Sequence, residues 1–493
     1  MTRNANPYLA LGVRPFINCC SVRTVFGGSL MLPEVRAAMA DASRQFVNLD
    51  ELMEAAGARL AELTGAEWGI VTCGSAAAVA LATAACVAGN DPAKMLRLPF
   101  TEGMANRVIM PRNQRFVYDQ AIRMIGTHIV EIDDRAGLDA ALAEPVAMVA
   151  LLGTHEHLSG IRLEEIAAVV KPRGIPILVD AASEHLERPS PWLVRGADLV
   201  VYSGGKFLRG PQTSGLLLGS KPLVQAAWRN SSPHQALGRP MKVSKEDVVG
   251  LLAAVEYWFN DRDAAAERRR WRDDVETIAR KLAGVAQTEV LEPTGVERVP
   301  RLLVRWDPAE VGFDGVGLRQ RLLDGTPRIV LDDMSATSDS IAIEPFSLQP
   351  GEAAAVGDAI AAALAAGARA TAAAPPATGP GPDVAGEWEL RVRFLHGERV
   401  HRLRIGRSGS ELTGQHQSAE FDGPVRMRLT PAGIFFGFDL RYEGNTIAYQ
   451  FDGRVAADEM GGTVVLGSAT DHHQGVVGLS QFGTGEWQAV RLR

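Results

Sequence analysis

Leu199-Val-Val-Tyr-Ser203-Gly-Gly-Lys206 is the stretch that decides how this 493-residue chain folds. An apolar, β-forming run stops at a small glycine-flanked turn, and the turn carries a lysine. A second apolar run, Ile177-Leu-Val-Asp180, stops at an aspartate 26 residues before that lysine. One βαβ crossover fits between the two residues, which predicts neighbouring parallel strands whose ends lie side by side.

Working outward from this pair, helical and strand patterns alternate. Leu32 to Leu63 reads as a helix with Pro33 near its start, Trp68–Thr72 as a strand, and Ser75 to Ala88 as a small-residue helix. Strands are expected at Arg107–Met110, Thr127–Glu131, Ala147–Leu152, Pro176–Val179, Leu199–Tyr202 and Gly215–Leu218. Nearly continuous apolar strands between helices mean a parallel-rich sheet covered on both faces. A charged amphipathic helix is expected from about Leu251 to about Leu282. Strand patterns at Arg301–Arg305, Arg328–Leu331 and Ile341–Leu348 then predict a smaller α/β domain.

Ala372-Ala-Ala-Pro-Pro-Ala-Thr-Gly-Pro-Gly-Pro-Asp383 has no periodicity and reads as a linker. Beyond it, Gly386-Glu-Trp-Glu-Leu-Arg-Val-Arg-Phe394 alternates with period two, as do His401–Ile405, Val425–Leu429, Gly433–Leu440, Thr446–Phe451 and Gly462–Leu466. Glu443-Gly-Asn445 and Asp452-Gly453 read as turns between them. About eight short strands predict an antiparallel barrel or sandwich. The expected domains are 1–254 (N-terminal segment and large domain), 255–370 (small α/β domain), 371–385 (linker) and 386–493 (β-domain).

A hydrophobic share of 46% with 22% charged residues is that of a globular protein, and the net charge of -7 argues against a nucleic-acid partner. The basic run Glu267-Arg-Arg-Arg-Trp-Arg272 lies in a helical pattern flanked by acids and reads as a solvated face. Cys19, Cys20, Cys73 and Cys86 lack metal-ligand spacing and form no disulfide framework, so a reducing cytoplasm is expected. The N-terminus has no apolar secretory core, and the alanine-rich stretch from Ala353 to Ala374 is broken by charge and reads as a surface helix, with no membrane span.

A lysine and an aspartate at adjacent strand ends suit pyridoxal phosphate (PLP): Lys206 would hold the aldehyde as a Schiff base, and Asp180 would keep the ring nitrogen protonated. Gly74-Ser75-Ala76 opens a helix after a strand, where free N–H groups and the helix dipole meet a phosphate. Ser203 would add a hydroxyl to the phosphate cup. Arg115, Arg209 and Arg239 are candidates for gripping a substrate carboxylate or phosphate. Lys242 and Lys245 are weaker ones. His155 and His157 form a His-x-His without a third ligand nearby, so no metal is expected; His155 follows the strand Ala147–Leu152, where the crevice of such a sheet lies.

Residues from about Phe16 to about Arg280 resemble the selenocysteine-synthase-like branch of fold-type I PLP enzymes, closest to the D-glucosaminate-6-phosphate ammonia-lyase type. The carrying stretches are Gly27-Gly-Ser-Leu-Met-Leu-Pro33, Glu62-Leu-Thr-Gly-Ala66, Val179-Asp-Ala-Ala-Ser-Glu184, Gly238-Arg-Pro-Met-Lys242 and, most specific, Ser203-Gly-Gly-Lys-Phe-Leu-Arg-Gly-Pro-Gln212. The resemblance implies an aspartate-aminotransferase-like large domain with a small domain, a homodimer or higher homo-oligomer sharing its active site, Lys206 as the Schiff-base lysine, Asp180 at the ring nitrogen, and Ser75 with Ser203 near the phosphate. Members carry a histidine in a Gly-His-Arg-Asn-Gly-Tyr-Asp stretch that can stack on the cofactor ring. Aligning on Tyr118-Asp119 puts Gln114 there. The C-terminal segment resembles lipocalin-like or streptavidin-like barrels through Gly386-Glu-Trp388, Tyr449-Gln-Phe-Asp-Gly453, Met460-Gly-Gly-Thr463 and Trp487-Gln-Ala-Val-Arg491.

The expected activity is that of a PLP-dependent lyase acting on a small amine substrate, an amino acid or amino-sugar acid, by α-proton abstraction and β-elimination. Aldol cleavage, racemisation and transamination use the same first steps and stay open. So do a selenium-transferase-like activity, against which the acidic balance counts, and a non-catalytic module of the same fold.

Overall fold

The computed structural model describes residues 6–294, 299–332, 335–373, 382–394, 397–408, 411–430, 433–468 and 484–492. The expected linker therefore lies mostly outside the described residues, at 374–381. The chain forms two compact units: residues 21–269 with 293–298, and residues 1–20, 270–292 and 299–493.

The first unit is built on a seven-stranded sheet. Its order is Trp68–Thr72, Gly215–Gly219, Leu199–Ser203, Ile177–Asp180, Met148–Leu152, Arg107–Pro111, His128–Ile132. The last five are parallel, with Leu178 opposite Leu199 and Val149 opposite Ile177. Gly215–Gly219 runs antiparallel to both its neighbours. Two reversals make Trp68–Thr72 point the same way as Leu199–Ser203. The carboxyl ends of four strands, at Thr72, Leu152, Asp180 and Ser203, therefore open on one edge, where ligands of such sheets bind. Met148–Leu152 and Gly215–Gly219 are buried along their whole length, as strands covered on both faces must be. The helix Ser75–Ala88 is buried almost all round, which its run of alanines permits.

Two expected helices are each broken in two. Leu32 to Leu63 is Pro33–Ala42 and Leu49–Thr64. Asn48 separates them, because its side-chain oxygen accepts the N–H groups of Asp50 (2.8 Å) and Glu51 (3.3 Å) and starts a new helix. Leu251 to Leu282 is the end of Lys245–Asn260 plus Ala264–Leu282. There Asp263 accepts the Ala266 N–H at 2.8 Å and caps the second helix.

In the second unit Gln287–Leu291, Arg301–Arg305 and Ser340–Ile343 form an antiparallel sheet, and Ile17–Cys19 pairs in parallel with Ile329–Leu331. The expected strand Ile341–Leu348 is thus cut short. The helix Glu352–Ala373 buries Ala353, Val356, Ile360 and Leu364, one face at helical spacing.

The β-domain is a closed eight-stranded antiparallel barrel from Gly386 to Arg491. Along Gly386–Phe394, Trp388, Leu390 and Val392 point into the core while Arg391 is exposed. The turn expected at Glu443-Gly-Asn445 is present, with Tyr442 paired to Asn445. The turn expected at Asp452-Gly453 is not: both residues lie within the strand Asn445–Ala456. Gly453 serves close approach instead, since a Cβ there would stand 2.4 Å from the Gly461 carbonyl oxygen and 2.5 Å from the Trp487 ring.

Candidate active site

A cavity of about 1030 Å³ opens at the shared edge of the first unit's sheet. Gly74, Ser75 and Ala76, then Leu152, Thr154 and His155, then Asp180, Ala182 and Ser183, and finally Ser203 and Lys206 contribute to its wall. Each group follows a different strand end.

Gly74 ends the turn after Trp68–Thr72 at φ 94°, a conformation that L side chains avoid. The helix Ser75–Ala88 starts directly afterwards with no side-chain cap. Its first N–H groups have no partner within the helix, which makes this cavity wall an anion site. Gly215 lets the neighbouring strand close on it, because a Cβ there would lie 2.3 Å from the Gly74 carbonyl carbon.

Asp180 Oδ1 accepts the Ala182 N–H at 2.9 Å. Burial raises its carboxyl above the usual range, while that N–H and the Lys206 charge pull the other way. Lys206 Nζ donates to Ser183 Oγ at 2.6 Å. Burial lowers its ammonium below the ordinary lysine value, opposed by Asp180. The loop carrying Lys206 is pinned: Ser29 donates its N–H (2.9 Å) and its hydroxyl (3.0 Å) to the Gly205 carbonyl, and Gly204 N–H donates to Ser214. A Cβ on Gly205 would stand 2.4 Å from Gln212 Cα, so only glycine fits.

His155 lines the same cavity, with its Nδ1 buried and without a hydrogen-bond partner. Burial, then the nearby His157, lowers its pKa.

The other expected residues are placed elsewhere. Gln114 is fully buried behind the cavity wall; its carbonyl accepts the Leu152 N–H and its amide donates to Ser159 Oγ, both at 2.7 Å. Arg115 is paired with Asp119 and Glu131, both at 2.6 Å. Arg209 donates to the Leu30 carbonyl, and Arg239 to Ser232 Oγ. None of these four is among the residues lining the cavity. The weaker candidates Lys242 and Lys245 do line it, and so do Phe116, Tyr118 and Ser183. Ser183 sits in a stretch already singled out, Val179–Glu184, but no spacing rule distinguishes it there.

The wall suits PLP. An uncapped helix start faces the space a phosphate needs, and an amine with a lowered pKa is held near a buried carboxylate that lacks a cationic hydrogen-bond partner among the described residues. Strand ends, lysine and aspartate together define a fold-type I PLP-dependent enzyme. No protein-family model matches the chain. It is 32% identical over 362 residues to the 5'-C-glycyluridine monooxygenase-decarboxylase of a Streptomyces species, covering 70% of this chain and 88% of that protein. It is 30% identical over 360 residues to the D-glucosaminate-6-phosphate ammonia lyase of Salmonella typhimurium, covering 70% and 95%. A solved structure of D-glucosaminate-6-phosphate ammonia-lyase superposes with a TM-score of 0.66 at 29% identity, over 75% of this chain and 100% of that one. L-seryl-tRNA(Sec) selenium transferases match at lower identity. The chain belongs to the family that contains these PLP enzymes.

Proposed function

We propose that this enzyme is a lyase acting on an amino acid or amino-sugar acid, removing the α-proton and eliminating a β-substituent, with a keto acid and ammonia as final products. One observation carries this: Lys206, Asp180 and His155 border the same cavity, with the lysine made less basic by burial. When bound, PLP supplies an aldehyde for the substrate amine and an electron sink for the carbanion.

The chain's own residues do the rest. The N–H groups at Ser75 and Ala76, with the Ser75 and Ser203 hydroxyls, bind the phosphate. Asp180 holds the proton at the ring nitrogen. Lys206 takes the α-proton as its free amine, and Ser183 orients Nζ while it does so. The proton that Lys206 has taken from the α-carbon goes on to the leaving group, and His155, on the same cavity wall, accepts and passes it. Gln114 supports the wall through Leu152 and Ser159. The reading includes a homo-oligomer in a reducing cytoplasm.

A second reading, oxidative decarboxylation of an amino acid, is favoured by the relative named as a monooxygenase-decarboxylase. A panel of β-hydroxy amino acids and amino-sugar acids separates the two, each assayed with and without dioxygen. Ammonia and keto acid released equally under nitrogen support the lyase. Turnover that requires dioxygen and releases carbon dioxide replaces it with the second reading.

A further inference from the structure

The loop after the strand Arg107–Pro111 carries two aromatic rings to which the elimination chemistry gives no role. Phe116 and Tyr118 both line the cavity that holds Lys206 and Asp180. Their centroids are 5.8 Å apart with the planes at 61°, an edge-to-face pair. Among the described residues no other phenylalanine, tyrosine or tryptophan borders that cavity.

Polar anchors fasten this loop on both sides of the pair. Gln114, fully buried, bonds Leu152 and Ser159. Asp119, also fully buried, receives Arg115 at 2.6 Å and Arg123 at 3.2 Å. Arg112 reaches Asp133 at 3.0 Å. Between the anchors Phe116 is half-buried and Tyr118 is 47% exposed. The protein's own core therefore leaves part of both rings uncovered, while the backbone that presents them is held fast. A ring fixed in place before binding gives its contact energy at little cost in conformational entropy.

The sheet order says what the rings can meet. Their loop follows a strand two places from that of Asp180, whereas Ser75 follows a strand three places away on the other side. Strands lie about 4.8 Å apart, so the loop begins on the order of 10 Å from Asp180, away from the phosphate end. A cofactor seated between Ser75 and Asp180 leaves this part of the cavity to the substrate. The whole cavity, about 1030 Å³, has room for both, since single-ligand pockets span about 300–1,000 Å³.

We propose that Phe116 and Tyr118 form the specificity wall of the site, and that the substrate is an amino acid carrying a flat ring on its side chain. The inference rests on Lys206 and Asp180 forming the cofactor site, and it narrows the substrate class given above. A flat ring packs against the edge or face of these two with a gain beyond simple area burial. A side chain as short as that of alanine or serine gains nothing from either.

The test is a titration of the full-length, PLP-loaded protein with alanine and with phenylalanine, each as both enantiomers, read from the cofactor's absorbance. Neither carries a β-leaving group, so the titration measures binding whatever reaction the enzyme performs. Phenylalanine is expected to bind at least about 10-fold more tightly than alanine in one enantiomeric series. Phe116→Ala and Tyr118→Ala are each expected to cut that ratio at least about 3-fold. Phe116→Leu keeps the bulk without the ring and replaces Phe116→Ala if that variant fails to fold; it too should lower the ratio. A wild type that binds both amino acids equally overturns the wall, and so do folded variants that keep the full ratio. Variants that weaken both amino acids to the same degree also overturn it, because the rings then serve the cofactor. A wild type that takes up no PLP overturns the cofactor site itself, which separates that failure from a failure of the wall.

Discussion

Lys206 Nζ and the Ser183 hydroxyl are 2.6 Å apart, with Ser183 only three residues beyond Asp180. The amine on one strand's turn is therefore tied to the segment that carries the carboxylate on the next. Lys206→Ala is expected to remove the visible absorbance of the PLP-loaded protein and to lower turnover by about 10³-fold. Absorbance before and after borohydride checks it. A variant that keeps a borohydride-sensitive band would mean that another amine holds the cofactor.

Asp180→Asn keeps the side chain's shape and removes its charge. The cofactor is expected to remain bound while turnover falls on the order of 10²-fold, measured as kcat with cofactor content determined separately. Unchanged kcat would remove Asp180 from the ring nitrogen.

Gln114 spans Leu152 and Ser159 with both ends of its amide. Gln114→Ala orphans buried partners and is expected to cost about 1–3 kcal/mol of stability, read as a lower urea midpoint. KM and the cofactor spectrum should barely move. A large spectral change with intact stability would place Gln114 against the cofactor after all.

Gly205→Ala sets a methyl 2.4 Å from Gln212 Cα, a backbone atom that cannot swing aside. The loop carrying Lys206 must shift, and PLP affinity is expected to fall at least about 10-fold, since misplacements near 1 Å are costly. Fluorescence titration of the apo-enzyme measures it.

Protonation of His401 sets a pH dependence in the barrel. Its folded pKa is about 4, below the usual histidine value near 6.5. Between these values the unfolded chain binds more protons, so stability is lost as pH falls through that window. The loss is of order 3 kcal/mol in full. Urea melts at pH 7 and pH 4.5 should show it, with a smaller difference in His401→Phe. An equal difference in the variant would assign the effect to other groups.

The strands and the chemistry were legible because they follow simple periodicities. Buried parallel strands are apolar throughout, barrel strands alternate, and the block from Ser203 to Gln212 carries its lysine in a glycine turn. Helix breaks were harder. Asn48 and Asp263 start new helices inside continuous amphipathic patterns, and only capping geometry reveals them. Gly453 read as a turn because glycine serves turns and close packing alike, and the choice depends on Gly461 and Trp487. The arginines were the least legible part of the site. Arg115, Arg209 and Arg239 have the right charge for substrate, yet other protein groups engage them: Asp119 and Glu131 hold Arg115, the Leu30 carbonyl holds Arg209, and Ser232 holds Arg239.

The antiparallel strand Gly215–Gly219 has a kinetic meaning. It joins Thr72 to Gly215, residues 143 apart in sequence, and only this pairing sets the anion-binding turn beside the lysine loop. Long-range pairings close late, because the chain entropy must be lost before the contact repays it. Cofactor uptake during refolding should therefore trail the return of helical signal, making PLP a reporter of the last strand to dock.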